Sequence, residues 1–78
     1  MEIMLAEILK PLVNIEDISK IVYRKDDFGV TCFRHIDIEC IYGDYLEIPE
    51  SDRNYQKIKD LFQETNFEKE EVVLFERY

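Results

Sequence analysis

Residues 30–42 read Val-Thr-Cys-Phe-Arg-His-Ile-Asp-Ile-Glu-Cys-Ile-Tyr, and this stretch decides the fold. From Cys32 onward its apolar and polar side chains alternate, with Arg34 as the one exception on the apolar side. Side chains of a β-strand point alternately to opposite faces, so the pattern predicts a strand with one face in the core and one in water. The predicted core face carries Val30, Cys32, Ile36, Ile38, Cys40 and Tyr42, and the other face carries Thr31, Phe33, His35, Asp37 and Glu39. Because the run is long for a strand, we expect a neighbouring strand on each side.

The strand before this stretch is predicted at Ile18–Lys25, because its Ile-Val-Tyr run is rich in residues that favour β-structure. The next four residues, Asp26-Asp27-Phe28-Gly29, are predicted to form the hairpin loop, in which the glycine supplies a positive φ. This loop places Tyr23 opposite Cys32. Ile21 and Tyr23 then share the core face of the long strand, which supports the pairing.

A helix is predicted over Met1–Lys10, since the apolar residues recur at helical spacing and the composition favours a helix. These apolar residues are Leu5, Ile8, Leu9 and Leu12. Pro11 ends or kinks the helix, because it has no N–H and disfavours helical geometry at the preceding residue. A short coil through Asn14–Asp17 follows. The alternative for this region is a second helix that starts at Asn14 as its N-cap and carries Ile15, Ile18 and Val22 on one side.

Gly43-Asp44 is predicted to turn the chain into a third strand at Tyr45–Ile48. A two-residue turn would place the apolar residues of this strand on the face of the acids of the long strand. A three-residue loop over 42–44 instead pairs Ile38 with Ile48 and Cys40 with Leu46. This register makes the apolar side chains agree, and we therefore prefer it.

A second helix and a last strand are predicted after Pro49. Ser51 is a good N-cap, and Asp52 is favourable in the first helical turn. The apolar stripe of this helix consists of Tyr55, Ile58, Leu61 and Phe62. Asn66 is a suitable left-handed C-cap. The last strand, Glu71–Glu76, contains Val-Val-Leu-Phe, which indicates a strand buried on both faces or paired inside the sheet.

The sequence therefore predicts a single small α+β domain over 1–78, with the order helix, three-stranded antiparallel meander, helix and C-terminal strand. We expect both helices to cover one apolar face of the sheet. The predicted core consists of Leu5, Ile8, Leu9, Ile21, Tyr23, Ile36, Ile38, Leu46, Ile58, Leu61, Phe62, Val73 and Phe75.

The charge of the chain is strongly negative and unevenly distributed. The net charge of the 78 residues is −8, and residues 37–78 alone hold twelve acids and five bases. This charge disfavours direct binding to nucleic acid or to an anionic membrane and favours a basic protein partner. Solubility alone is the plainer explanation of such a composition. We expect no secretory leader, because the first residues lack a basic stretch and a small-residue cleavage site, and no apolar run is long enough to span a bilayer.

The candidates for chemistry lie on the long strand. Cys32, His35 and Cys40 are the soft metal ligands of the chain, but their spacing and number do not suit a zinc site, so we expect no metal and no cofactor. We expect both cysteines to be free thiols that pack as small hydrophobic side chains, as suits the cytoplasm. His35 with Asp37 and Glu39 resembles a general-base cluster, but without a nucleophile or phosphate loop it is more simply a solvated charged stripe. We therefore predict no enzymatic activity.

We predict a small acidic binding protein that inhibits a basic partner stoichiometrically, such as a nucleic-acid-handling enzyme or a toxin. This is the phage anti-defence or immunity-protein type, and acids about 7 Å apart along strands resemble a row of nucleic-acid phosphates. Phe33 is a candidate aromatic anchor beside these carboxylates, unless a helix covers it. The alternative function is a module that self-associates, for example as a homodimer. The predicted partner-binding residues are Phe33, Asp37, Glu39, Asp44, Glu47, Glu50, Asp60 and Glu64.

Overall fold

Four antiparallel strands form one sheet in the order β3-β2-β1-β4 in the computed structural model, which describes residues 2–77. The elements in chain order are α1 (Glu2–Leu9), a 3-10 turn (Ile15–Asp17), β1 (Ile18–Asp27), β2 (Cys32–Cys40), β3 (Tyr45–Pro49), α2 (Arg53–Leu61) and β4 (Glu71–Glu76). The predicted α+β class is confirmed. Neither α1 nor α2 has the length and apolar character that a membrane-crossing helix needs.

The core lies between the two helices and one face of the sheet, which we call the inner face. Its strand residues are Ile21, Tyr23, Ile36, Ile38 and Ile48. Leu5 and Leu9 of α1 and Tyr55 and Ile58 of α2 belong to the same buried cluster. Because both helices pack against the inner face, the opposite face is left without a helix among residues 2–77. We call this second face the polar face, and it carries Val22, Arg24, Phe33, His35, Asp37, Glu39, Tyr45, Glu47, Glu71 and Val73.

Most of the predicted core is confirmed, with one clear error. Seven of the predicted residues are fully buried, namely Leu5, Leu9, Ile21, Tyr23, Ile36, Ile38 and Ile58. Five others are partly buried against this cluster, namely Ile8, Leu46, Leu61, Phe62 and Phe75. Val73 is wrong, since it is 47% exposed on the polar face opposite Val22. The prediction also left out the buried residues Ile18, Val22, Ile48 and Tyr55.

The hairpin between β1 and β2 is displaced from its predicted register. Tyr23 lies opposite Ile36 rather than Cys32, and β1 continues to Asp27. The loop therefore comprises residues 28–31, and its glycine has the predicted positive φ, at 83°. The displacement is four residues, and an even displacement leaves each side chain on its predicted face. The longer strand is stabilised on the polar face, where the Asp26 carboxylate contacts the ring of His35.

The second hairpin shows a smaller displacement of the same kind. Ile38 lies opposite Leu46, two residues from its predicted partner Ile48. The last pair is Glu39 with Tyr45, so the loop spans residues 40–44. The even displacement again keeps the apolar side chains on the inner face, and the rejected two-residue turn would have inverted them.

Several predicted ends of elements need correction. The N-cap of α2 is Asp52 rather than Ser51, because the Asp52 carboxylate accepts a hydrogen bond from Asn54 N at 2.8 Å. This helix ends at Leu61, well before Asn66, whose side chain instead accepts from Glu68 N at 3.0 Å.

The regions at the two ends of the chain are partly as predicted. Asn14 caps only the short 3-10 turn, and the strand that follows is the preferred element rather than the alternative helix. The predicted start of the first helix at Met1 lies outside the described residues. β4 has its predicted bounds, but it is an edge strand and is not buried on both faces.

Candidate functional site

All four strands place charged side chains on the polar face, where these side chains lie close together. Cross-strand partners project from the same face, so the pairing of Asp37 with Glu47 places a β2 and a β3 carboxylate side by side. In the next row, Arg24 of β1 lies between His35 of β2 and Glu71 of β4. Residues that are far apart in the sequence therefore form one polar cluster at the centre of the sheet.

His35 is the buried centre of this cluster, with only 5% of its surface exposed. Its Nδ1 lies 3.0 Å from Asp37 Oδ1 and 3.6 Å from Glu47 Oε1, and its Nε2 lies 2.9 Å from Asp26 Oδ2. The ring of Phe33 stacks on the imidazole with a centroid distance of 4.9 Å. An ionised carboxylate only accepts hydrogen bonds, so both ring nitrogens donate and the ring is an imidazolium in this arrangement.

Two opposing effects act on the pKa of His35. Burial lowers this pKa, because it removes the charged ring from water. The hydrogen bonds to Asp26 and Asp37 and the negative charges of Asp37 and Glu47 outweigh burial, and the pKa is raised above its ordinary value of 6.5. A ring that donates through both nitrogens has no lone pair with which to accept a proton. This arrangement therefore does not place His35 as a general base.

Asp37 connects His35 to Arg24. Its second oxygen, Oδ2, accepts a hydrogen bond from Arg24 Nη1 at 2.5 Å, and only 5% of the residue is exposed. The Arg24 guanidinium also donates to Glu71 Oε2 at 3.2 Å and lies 3.8 Å from Glu39 Oε2. A buried carboxylate is favourable only when its oxygens are occupied by charged or polar partners, and here both oxygens have a cationic partner.

A shallow pocket of about 370 Å³ opens beside this network. It is lined by Arg24, Asp37, Glu39, Cys40, Gly43, Asp44, Tyr45 and Glu47. The lining contains four carboxylates and one guanidinium, so its net charge is negative. Among residues 2–77, neither Asp44 nor Glu47 forms an ion pair with a lysine or arginine. Within this part of the chain Asp44 has no cationic partner, whereas Glu47 lies 3.6 Å from the His35 ring and is exposed. The pocket therefore keeps an excess of negative charge.

The predicted partner-binding residues fall into two groups. Four of the acids line the pocket, namely Asp37, Glu39, Asp44 and Glu47. Phe33 lies on the same face and is 37% exposed, so the aromatic ring is partly available. The remaining three, Glu50, Asp60 and Glu64, do not line the pocket. Asp60 lies on α2, where its carboxylate accepts from Gln56 Nε2 at 2.8 Å.

One prediction about the polar face is wrong, since His35 was expected to face solvent but is buried. Asp37 is buried as well, and its role in partner binding stays a prediction. Both residues are buried because β2 is a central strand, where side chains on β1 and β3 cover its polar residues. Arg24 and Asp26 were not predicted as site residues. The sequence signal for a polar cluster was His35, which is followed by Asp37 and Glu39 on the same strand face.

The cysteines do not behave as two core residues. Cys32 is exposed, because it is the first residue of β2 beside the hairpin loop, and Cys40 is partly buried at the other end of the strand. Both are free thiols. The group that has the geometry to hold a metal ion is a different one. His35, Asp37 and Glu47 each offer a ligand atom, and these atoms lie within 4.8 Å of one another.

No protein-family model, curated protein or solved structure matches this chain. Function is therefore inferred from the geometry of the polar face.

Proposed function

We propose that this protein binds a basic protein partner through its polar face and thereby acts as a stoichiometric inhibitor of that partner. The observation that carries the proposal is the pocket with its excess of carboxylates. The partner class is a nucleic-acid-handling enzyme or a basic toxin, because such proteins expose clusters of arginine and lysine. Two free cysteines suit a reducing compartment, and we propose the cytoplasm as the setting.

The contacts of Arg24 support the proposal that this face accommodates cationic side chains. One guanidinium lies among the carboxylates of Asp37, Glu71 and Glu39. A partner's arginine or lysine would bind on the other side of the pocket, against Asp44 and Glu47. Asp44 and Glu47 are both exposed, so their field reaches into solvent and would accelerate association.

Two aromatic side chains on the polar face add apolar contact area to the proposed interface. Phe33 is 37% exposed and Tyr45 is 67% exposed. Aromatic residues are enriched at the centres of protein interfaces, where charged groups surround them. Because Asp37 is buried, the exposed acids do not form a regular row along β2, and the pocket supports binding better than a phosphate-like spacing does.

Self-association is the second candidate function. β3 and β4 are the edges of the sheet, and β4 exposes Val73. An edge strand can pair with the same strand of a second copy. However, each copy carries a charge of −8, and repulsion between like charges opposes this pairing. Light scattering after size-exclusion chromatography separates the two candidates, because the inhibitor proposal expects a monomer before the partner is added.

The proposal is tested with two sets of neutralising substitutions and a partner recovered from the native host by affinity pull-down. The first set, Glu39→Gln, Asp44→Asn and Glu47→Gln, removes the accessible carboxylates of the pocket. The control set, Glu7→Gln, Glu16→Gln and Glu70→Gln, changes the net charge by the same amount at exposed positions that do not line the pocket.

We expect the pocket set to slow association at least 10-fold at low salt and to flatten its salt dependence, because steering acts before contact. The control set should retain the rate within about 2-fold. Inhibition of the partner's activity should reach completion at one protein per partner. Equal rates for the two sets, or a captured partner that remains fully active when saturated, would refute the proposal.

A further inference from the structure

We propose that His35, Asp37 and Glu47 form a binding site for a divalent first-row transition metal such as Zn²⁺. The distances from His35 Nδ1 to the two carboxylate oxygens are 3.0 Å and 3.6 Å. Tetrahedral zinc with bonds of about 2.0–2.2 Å separates its ligand atoms by about 3.3–3.6 Å. The first distance lies below this range and the second at its upper end, and all three ligand atoms lie within 4.8 Å of one another, so side-chain movements of up to about an ångström bring them into place.

The surroundings of the three ligands match those of a metal site. Asp26 Oδ2 lies 2.9 Å from His35 Nε2, on the side of the ring that faces away from the carboxylate ligands. A carboxylate at that position holds the proton on Nε2, so that Nδ1 offers its lone pair to the metal and its own proton passes to solvent. Arg24 holds the far oxygen of Asp37, Oδ2, and leaves Oδ1 for the metal. Ligating carboxylates commonly have such a hydrogen-bond partner.

The pocket gives the site an entrance and an open coordination position. Asp37 and Glu47 both belong to the pocket lining, and Glu47 is exposed, so an ion from solvent enters the site past Glu47. Three protein ligands leave a fourth tetrahedral position for a water molecule on the pocket side. The nearby Glu39 and Asp44 make the pocket negative, which favours a divalent cation. The imidazole ligand selects a transition metal over Ca²⁺ or Mg²⁺, which prefer oxygen ligands.

The test is a calorimetric titration of the purified protein with Zn²⁺, and it needs no partner, so its outcome is independent of the proposed function. The exposed thiol of Cys32 would bind zinc by itself, and the titration is therefore done in the Cys32→Ser/Cys40→Ser background. We expect one Zn²⁺ per chain. Co²⁺ should give the visible absorption bands of a four- or five-coordinate site, and a spectrum equal to that of hydrated Co²⁺ would overturn the proposal.

Matched variants assign the ligands. Glu47→Gln removes an exposed ligand with little risk to the fold and should weaken Zn²⁺ binding at least 10-fold, while Asp26→Asn should weaken it about 10-fold through the histidine. Glu71→Gln removes the same charge from the polar face but no ligand, and its affinity should stay within about 2-fold of the parent. Equal weakening by Glu47→Gln and Glu71→Gln would indicate a diffuse ionic attraction and refute the site, as would Mg²⁺ binding as tight as that of Zn²⁺. Urea midpoints of the variants confirm that each is folded during the titration.

Discussion

Replacing Asp37 with asparagine removes the charge on which the buried contacts of His35 and Arg24 depend. Each charge-assisted hydrogen bond contributes about 1.5–3 kcal/mol, so two such bonds set an upper range of about 3–6 kcal/mol. Arg24 keeps its contact with Glu71 at 3.2 Å, and its side chain is 31% exposed, so water replaces part of its loss. His35 keeps Asp26 at 2.9 Å. We therefore expect Asp37→Asn to lower the free energy of unfolding by about 2–4 kcal/mol.

Urea denaturation followed by circular dichroism at neutral pH measures this loss, because small domains usually unfold in two states. Glu39→Gln is the matched control. It makes the same charge change on the same face of β2, but Glu39 Oε2 lies 3.8 Å from Arg24 and the Glu39 side chain is 37% exposed. We expect this control to change stability by less than about 0.5 kcal/mol. Equal effects of the two variants would refute the reasoning, since the loss would then follow from net charge alone.

Three further outcomes are expected. Ile38→Ala should cost about 2–5 kcal/mol in urea denaturation, and Val73→Ala should cost less than about 1 kcal/mol, because only Ile38 is fully buried; equal costs would mean that the two sheet faces are misassigned. Burial raises the pKa of Tyr55 to about 12, so the folded state keeps this proton between about pH 10 and 12 while the unfolded state releases it. Stability should therefore fall by up to about 1.4 kcal/mol per pH unit in this window, and a Tyr55→Phe variant with the same fall would contradict the assignment. Cys32, which is exposed, should react with a disulfide reagent faster than Cys40, whose thiol has a pKa raised by burial and by the charges of Asp17 and Asp44; two equal rates would exclude this difference.

The fold was predictable because it depends on which face each side chain occupies. The alternation from Cys32 to Cys40 determines that face, and both hairpins moved by an even number of residues from their predicted registers. An even displacement keeps the same side chains on the inner face, so most of the predicted core remains correct. The exposure of the edge strand and the ends of the helices and strands were less predictable. Val73 belongs to an apolar run, and its exposure follows from its place on the polar face and from the position of β4 at the edge of the sheet.

The candidate site was not predictable in the same way, because it depends on the exact pairing of strands. In the predicted register Arg24 lies opposite Thr31, whereas in the structure it lies opposite His35 and reaches Asp37. A displacement of four residues moves a side chain by about 13 Å along a strand, which is beyond the reach of an arginine. Asp26 was assigned to the loop for the same reason, and its contact with His35 was therefore missed.

The polar cluster at the centre of the sheet is also where the chain departs most clearly from what stability alone favours. Replacing a buried ionic group by apolar residues of similar volume is often neutral or stabilising, and Val22 shows that an apolar side chain can be fully buried on this face. His35 and Asp37 place charged side chains at buried positions of the same face. Local departures of this kind are expected at functional sites, where a required geometry offsets a cost in stability. The two proposals assign different roles to this cluster. Glu47 contacts a protein partner in one proposal and binds a metal ion in the other. A metal ion at His35 would reduce the negative charge of the pocket and therefore oppose the approach of a basic partner, so the two ligands should compete for the polar face.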